Sequence, residues 1–223
     1  GRQLESVMLQ EEIQKTQKEI IFTLAETGEM RSKETGNHVK RVAEISRELA
    51  QSYGLDEHQV ELLRNASPMH DIGKIAIPDA VLLKEGPLTD EEREVMKTHT
   101  RLGYDMLRHS ERELLKAVAQ VAYQHHERWD GRGYPNGIEG EEIHIFGRIT
   151  AVADVFDALS CDRVYKEAWP REKIEDLFRE EREAAFDPEL IDVYFERADR
   201  LWEIGEEDLE LRVFQVLSRL FSA

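Results

Sequence analysis

The sequence predicts an all-α fold, and three observations carry that expectation. Apolar residues recur at three- and four-residue spacing along most of the chain. Few segments alternate with the period of two that marks a half-buried strand. Helix-start signatures recur too: Thr89 is followed three residues on by Glu92, and Ser110 by Glu113, the pairing of a capping box. At 223 residues the chain has room for one large domain, or a domain with an appendage.

Residues 4–30 predict a long, mostly polar helix. Leu9, Ile13, Ile20 and Leu24 lie near one stripe that Thr16 interrupts, a weak coiled-coil seam. That helix is read either as packed on its own domain or as a dimerising, signal-carrying stalk, so the chain divides into a linker helix over 1–30 and a main domain over 31–223. Lys33 to Gln51 predicts a more strongly amphipathic helix with Val42, Ile45 and Leu49 on its apolar face. A third helix is expected over Asp56 to Met69, with Gly73 just beyond it as a stop signal. The capping boxes predict helices over Asp90–Leu107 and Glu111–Trp129. Asp130–Gly140 holds four glycines and one proline, so it reads as an ordered, turn-rich loop. Phe146–Cys161 is the most apolar helix and is expected at the centre. Asp187-Pro188 opens a later helix, and the tail from Glu196 is expected to be helical and peripheral.

Composition narrows the function classes. The net charge of −17 argues against a broad nucleic-acid surface. An anionic substrate would need cations or a local basic cluster to reverse the sign at its site. The single cysteine, Cys161, excludes an internal disulfide framework, so a reducing, cytoplasmic setting is the default expectation. No apolar run approaches the ~18 residues of a membrane span. The start, "GRQLESVMLQEE", is polar rather than leader-like.

Several side chains stand in company that suggests ligation. Glu34 and His38 are four residues apart and share a helix face. His70 and Asp71 are adjacent at a helix end; His99 follows Val95 and Met96 by a turn. His125 and His126 are neighbours, and consecutive helix positions point ~100° apart, so such a pair suits two ions of a cluster better than one. Asp154 interrupts the apolar run "ITAVADVFDAL", with Asp157 one turn later. A carboxylate buried there without a partner would cost several kcal/mol, so Asp154 calls for a basic side chain or a cation. His58, His109 and His144 stand in polar or turn-like contexts and read as surface residues. Mixed imidazole and carboxylate ligands suit Fe, Mn, Zn or Ni rather than Ca or Mg.

The stretches "ETGNHVKR", "HDIGKIAIPD", "KTHTRLGYDML", "HHERWDGRGYP" and "ADVFDALSCDRVYK", in this order and spacing, resemble the HD-GYP domains of the HD metal-dependent phosphohydrolases. The resemblance runs from about Glu34 to Asp192. It implies an all-helical HD bundle that hydrolyses cyclic di-GMP to pGpG or GMP through a hydroxide held by the metal cluster. It implies the metal ligands Glu34, His38, His70, Asp71, His99, His125, His126 and Asp154, with Asp71 bridging. The cofactor implied is two or three divalent transition-metal ions, iron or manganese, a third ion being associated with the Glu at position 34. His70, Asp71 and Lys74 are implied as catalytic, and Lys74, Arg163 and Lys166 as phosphate-binding.

In the loop, Gly131 and Gly133 are expected to take backbone conformations closed to other residues, and Pro135 to fix the next turn. The resemblance places this GYP loop beside the active site and makes it a surface for a protein partner. It also implies an upstream regulatory domain, while the seam along residues 4–30 leaves room for a homodimer through the N-terminal helix. One departure stands out: before "FDPELID" the family has a "GTH"-like stretch, where this chain reads "REEREAA". Two alternatives remain open at this point. One is another cyclic nucleotide such as cyclic GMP-AMP as substrate; the other is a slow or inactive cyclic di-GMP-binding scaffold.

Overall fold

The computed structural model describes residues 2–32, 36–162 and 167–221. Among them all regular structure is helical, apart from one isolated bridge between Arg182 and Phe186. The helices are α1 (Arg2–Arg31), α2 (Gly36–Tyr53), α3 (Glu57–Ala66), α4 (Asp79–Leu82), α5 (Asp90–Lys97), α6 (His99–Leu107), α7 (Glu113–Gln124), α8 (Ile145–Ser160), α9 (Arg171–Glu180) and α10 (Pro188–Phe221). Short 3₁₀ turns cover Ser67–Met69, Ile72–Ala76 and Gly140–Glu142. None of the described helices is long and apolar enough to cross a membrane.

The all-α expectation holds, and the centre is where the apolar pattern put it. α2 packs against α1, α3, α8 and α10, and α7 against α3, α6 and α8. Val42, Ile45 and Leu49 of α2, and Ile149, Val152 and Phe156 of α8, are at most 1% exposed, so both helices run through the core. The structure corrects the expectation of a peripheral tail from Glu196 over its described side chains, 196–205, where Ala198, Leu201 and Ile204 join the core. Leu190, Ile191, Tyr194, Ala198, Leu201 and Ile204 line one face of α10 and are buried.

Three other boundaries shift, each for a local reason. The third helix stops at Ala66 and tightens into 3₁₀ over Ser67–Met69, because Pro68 has no N–H to continue an α ladder. The helix expected over Asp90–Leu107 breaks at Thr98. Both the Thr98 hydroxyl and its N–H turn back to the Val95 carbonyl, at 2.6 and 3.1 Å, which bends the chain so that His99 opens a new helix. Glu111–Trp129 shortens to α7. Arg112 takes the N-cap position without a side-chain cap, Ser110 instead accepting from Arg112 N–H, and the helix ends before the histidine pair. The capping box at Thr89 forms as the sequence suggests.

α1 is bound to the domain by one flank only. Ile21, Ala25 and Glu29 are buried, whereas Leu9, Ile13, Ile20 and Leu24 are 47–58% exposed. The apolar seam seen in the sequence therefore faces solvent, not the core.

Candidate metal centre

Five segments bring their polar residues to one place. α2 supplies His38, the turn after α3 supplies His70 and Asp71, and the first residue of α6 is His99. His125 and His126 follow the last residue of α7, and α8 supplies Asp154. The ligand atoms of Asp71, His99, His125 and His126 lie within 4.8 Å of one another, and so do those of His38, His70 and Asp154. Asp71 stands between the two groups. Its Oδ1 is 3.1 Å from His99 Nε2 and 3.7 Å from His125 Nε2, and its Oδ2 is 3.3 Å from His70 Nε2. Asp154 Oδ1 reaches His38 Nε2 at 3.5 Å and His70 Nε2 at 3.7 Å. Seven of the eight side chains singled out in the sequence thus converge; Glu34 lies outside the described residues, as do Arg163 and Lys166.

The imidazoles are aimed from behind. His70 Nδ1–H donates to Ser67 O at 2.9 Å, His99 Nδ1–H to Met96 O at 2.7 Å, and His125 Nδ1–H to Val121 O and Ala122 O at 3.1 Å. His38 Nδ1–H donates to Asp157 Oδ2 at 2.6 Å. With the proton fixed on Nδ1, each Nε2 presents a lone pair inward, the orientation that outer hydrogen bonds give metal-binding histidines. His99 Nε2 and His125 Nε2 face each other at 3.5 Å. His70 Nε2 and Asp71 Oδ1 are buried with no hydrogen-bond partner, which is costly unless a cation satisfies them. This donor set fits divalent transition-metal ions.

Electrostatics point the same way. Burial drives the pKa of His126 well down, with the neighbouring His125 adding to the effect. Burial would raise the Asp71 carboxyl, but Lys74 and His70 outweigh it and hold it well below the usual range. At His70 burial is opposed and overcome by the Asp71 charge, which lifts the imidazole to about 10. Lys74 Nζ lies 2.6 Å from Asp71 Oδ2, at the edge of the cluster.

Two contributions were not legible as site residues. Asp157, noted in the sequence without a role, accepts from His38 and from Arg41, whose Nη2 is 3.1 Å away and whose Nε is closer still. Glu29 of α1 is 3% exposed and stands within 4.8 Å of ligand atoms of His70 and Asp71. The signal that could have found it is weak: Glu29 continues the stripe Ile21, Ala25, Gly28 at helical spacing, beside the more apolar stripe Leu9, Ile13, Ile20 and Leu24.

Replacing Asp157 with Asn is expected to cost about 3 kcal/mol, because it breaks a buried ionic contact. Burial raises this carboxyl's pKa, but His38 and Arg41 bring it down to about 2, below the unfolded value of ~3.9. The stabilisation is therefore complete above pH ~4 and lost as pH falls through about 2. Denaturation of parent and variant should show a gap that narrows over that window; a constant gap would mean that Asp157 is not the titrating group.

The GYP loop borders the centre. The Tyr134 ring stacks on His126, with centroids 4.8 Å apart, and meets His99 edge-on. Buried Glu127 accepts from Asn136 N–H and Gly137 N–H at 2.8 and 3.0 Å, which shapes the turn. Gly131 has φ 74, as its placement suggested, but Gly133 serves close approach instead: a Cβ there would meet Arg128 N at 2.3 Å. The atypical segment before Phe186 packs on this loop. Trp129 N–H and Asp130 N–H donate to Ala185 O and Ala184 O at 3.1 and 2.9 Å. Glu183 takes a left-handed φ of 68 where the resemblance leads one to expect glycine. His58, His109 and His144 are exposed, and His144 caps α8.

A family profile described as HD domain matches residues 23–190. The chain is 43% identical over 199 residues to the 3'3'-cGAMP-specific phosphodiesterase 2 of Vibrio cholerae, covering 89% of this chain and 38% of that protein. It is 42% identical over 193 residues to the cyclic di-GMP phosphodiesterase response regulator RpfG of Xanthomonas campestris pv. campestris, covering 86% and 51%. With the cyclic di-GMP phosphodiesterase of Thermotoga maritima it shares 41% over 189 residues, covering 83% and 50%. The chain spans about half the length, or less, of these curated relatives. Among solved structures, a cyclic GMP-AMP specific phosphodiesterase of V. cholerae aligns with a TM-score of 0.64 at 23% identity, over 88% of this chain and 53% of the other, a likeness of fold. With the profile spanning most of the chain and the predicted helical architecture in place, this protein belongs to the HD domain family.

Proposed function

We propose that this domain is a metal-dependent phosphodiesterase that hydrolyses cyclic di-GMP to pGpG or GMP. The observation that carries the reading is the convergence of His38, His70, Asp71, His99, His125, His126 and Asp154, with imidazole Nε2 atoms turned inward around Asp71. These residues, with Glu34, are the ligand set for two or three divalent transition-metal ions, iron or manganese by the family resemblance, the mixed nitrogen and oxygen donors suiting zinc and nickel as well. Ions held there supply Lewis-acid polarisation of a phosphate ester and neutralise charge on its oxygens.

The rest of the work falls to side chains. Ser67, Met96, Val121 and Ala122 carbonyls and the Asp157 carboxylate hold protons at Nδ1, so the imidazoles keep their acceptor atoms free. Lys74 offers its ammonium to the phosphate and assists the leaving oxygen. Arg163 and Lys166 bind the second phosphate, so that a chain of charge −17 can receive a dianion. Tyr134 covers His126 and screens that edge of the centre from water. The exposed apolar seam of α1 is the surface through which a second copy pairs, and the GYP loop is the surface for a protein partner.

A second substrate is favoured by one specific observation: the relative with 43% identity is specific for 3'3'-cGAMP. The test is a side-by-side assay of cyclic di-GMP, 3'3'-cGAMP and linear pGpG with anaerobically purified protein loaded with Fe(II) or Mn(II). Cleavage of cyclic di-GMP with the highest kcat/KM is expected. A reversal in favour of 3'3'-cGAMP would reassign the substrate, and tight binding without cleavage of any of them would make the domain a sensor.

A further inference from the structure

We infer that Glu29, near the C-terminal end of α1, is a ligand of the metal centre at its His70–Asp71 edge. The inference rests on the metal-centre reading above. Its carboxylate lies within 4.8 Å of ligand atoms of both residues, and the side chain is 3% exposed. Its one described hydrogen bond is long, 3.4 Å from Ser32 Oγ. The charged groups that face it are Lys74, Asp71, His38 and His70. A buried carboxylate placed beside Asp71 adds like-charge repulsion to its own desolvation, and multivalent cations offset both far better than a single ammonium.

The backbone around Glu29 is tied to the segment it faces. α1 packs on both 3₁₀ turns that flank His70 and Asp71. Gly28 is buried beside Ile72 and Ile75, on the flank of α1 that carries Glu29. Two residues beyond Glu29, Arg31 donates to the carbonyls of Lys74 at 2.9 Å and Ile77 at 2.7 Å, to that of Ile75, and to Asp79 Oδ1 at 2.8 Å. The clamp fixes the end of α1 to the strip that carries His70, Asp71 and Lys74. The position differs from that of Glu34, the glutamate to which the resemblance gives a ligand role.

The test is Mn(II) binding to the whole chain, measured by metal analysis after dialysis and by chelator competition. It uses the parent, Glu29→Gln, Glu29→Asp and Glu34→Gln, with circular dichroism as the check on folding. Glu29→Gln is expected to weaken one class of bound Mn(II) by about 10- to 100-fold and to change the Mn(II) electron paramagnetic resonance spectrum. Glu29→Asp, which keeps the charge and shortens the reach, should fall between, and it carries the test if the Gln variant does not fold. A parent that takes up Mn(II) and a matching Glu29→Gln titration overturn this inference alone, whatever Glu34→Gln does. A parent that takes up no Mn(II) overturns the metal centre and this inference together.

Discussion

Replacing His70 and Asp71 together with alanine is expected to remove bound metal and to lower cyclic dinucleotide turnover by at least about a thousandfold. The size follows from what is lost. Metal ions supply several kcal/mol to a phosphate-ester transition state, and each 1.4 kcal/mol is about tenfold in rate. Asp71 faces both groups of donors with separate oxygens, so no other side chain can replace it. The fold should survive. The variant removes a buried imidazole and carboxylate, each with an atom that no described hydrogen bond satisfies, and it leaves the apolar core intact. Metal analysis, turnover and helicity measured on one preparation check all three points. Parent-like turnover with metal lost would refute the mechanism.

The second large effect is expected at Gly73. A Cβ added there would stand 1.9 Å from His99 O and 2.6 Å from Gly103 N, both backbone atoms of α6. Neither can rotate away, so Gly73→Ala must push the His70–Lys74 strip off α6. A cost of about 3 kcal/mol is expected for this overpacking, a fall of roughly 6–12 °C in melting temperature for a chain of this size. Metal affinity should fall as well, because His99 and Asp71 separate. Gly205→Ala is the contrast: a Cβ there meets nothing within 4 Å, and alanine suits a helix interior better. Equal melting temperatures for the two variants would disprove the close-contact account.

The sequence showed the parts of the centre that depend on residue type and spacing. An aspartate in the apolar run of α8, and adjacent histidines at a helix end, announce ligation because their bland alternatives are expensive or geometrically awkward. The order of motifs then joined segments far apart in the chain. Helix boundaries at Thr98 and Gln124 were less legible, since single side-chain and backbone hydrogen bonds decide them against a continuous amphipathic pattern. Gly73 follows the expected end of the third helix and reads in the sequence as a stop signal, yet it lies inside the 3₁₀ turn Ile72–Ala76. Its actual duty, to let two backbones touch, exists only in three dimensions. Glu29 was hidden for a similar reason: on a polar helix one more glutamate does not stand out until the buried flank of that helix is known.

The way the imidazoles are aimed has an evolutionary consequence. His70, His99 and His125 lean on main-chain carbonyls, which every residue type provides, so mutation of the residues behind them leaves their direction unaltered. His38 leans on a carboxylate that a single nucleotide change can delete. Drift in descendants of this sequence should therefore first erode the half of the cluster nearest α2, and lineages losing Asp157 should be those that keep the His99–His125 half alone.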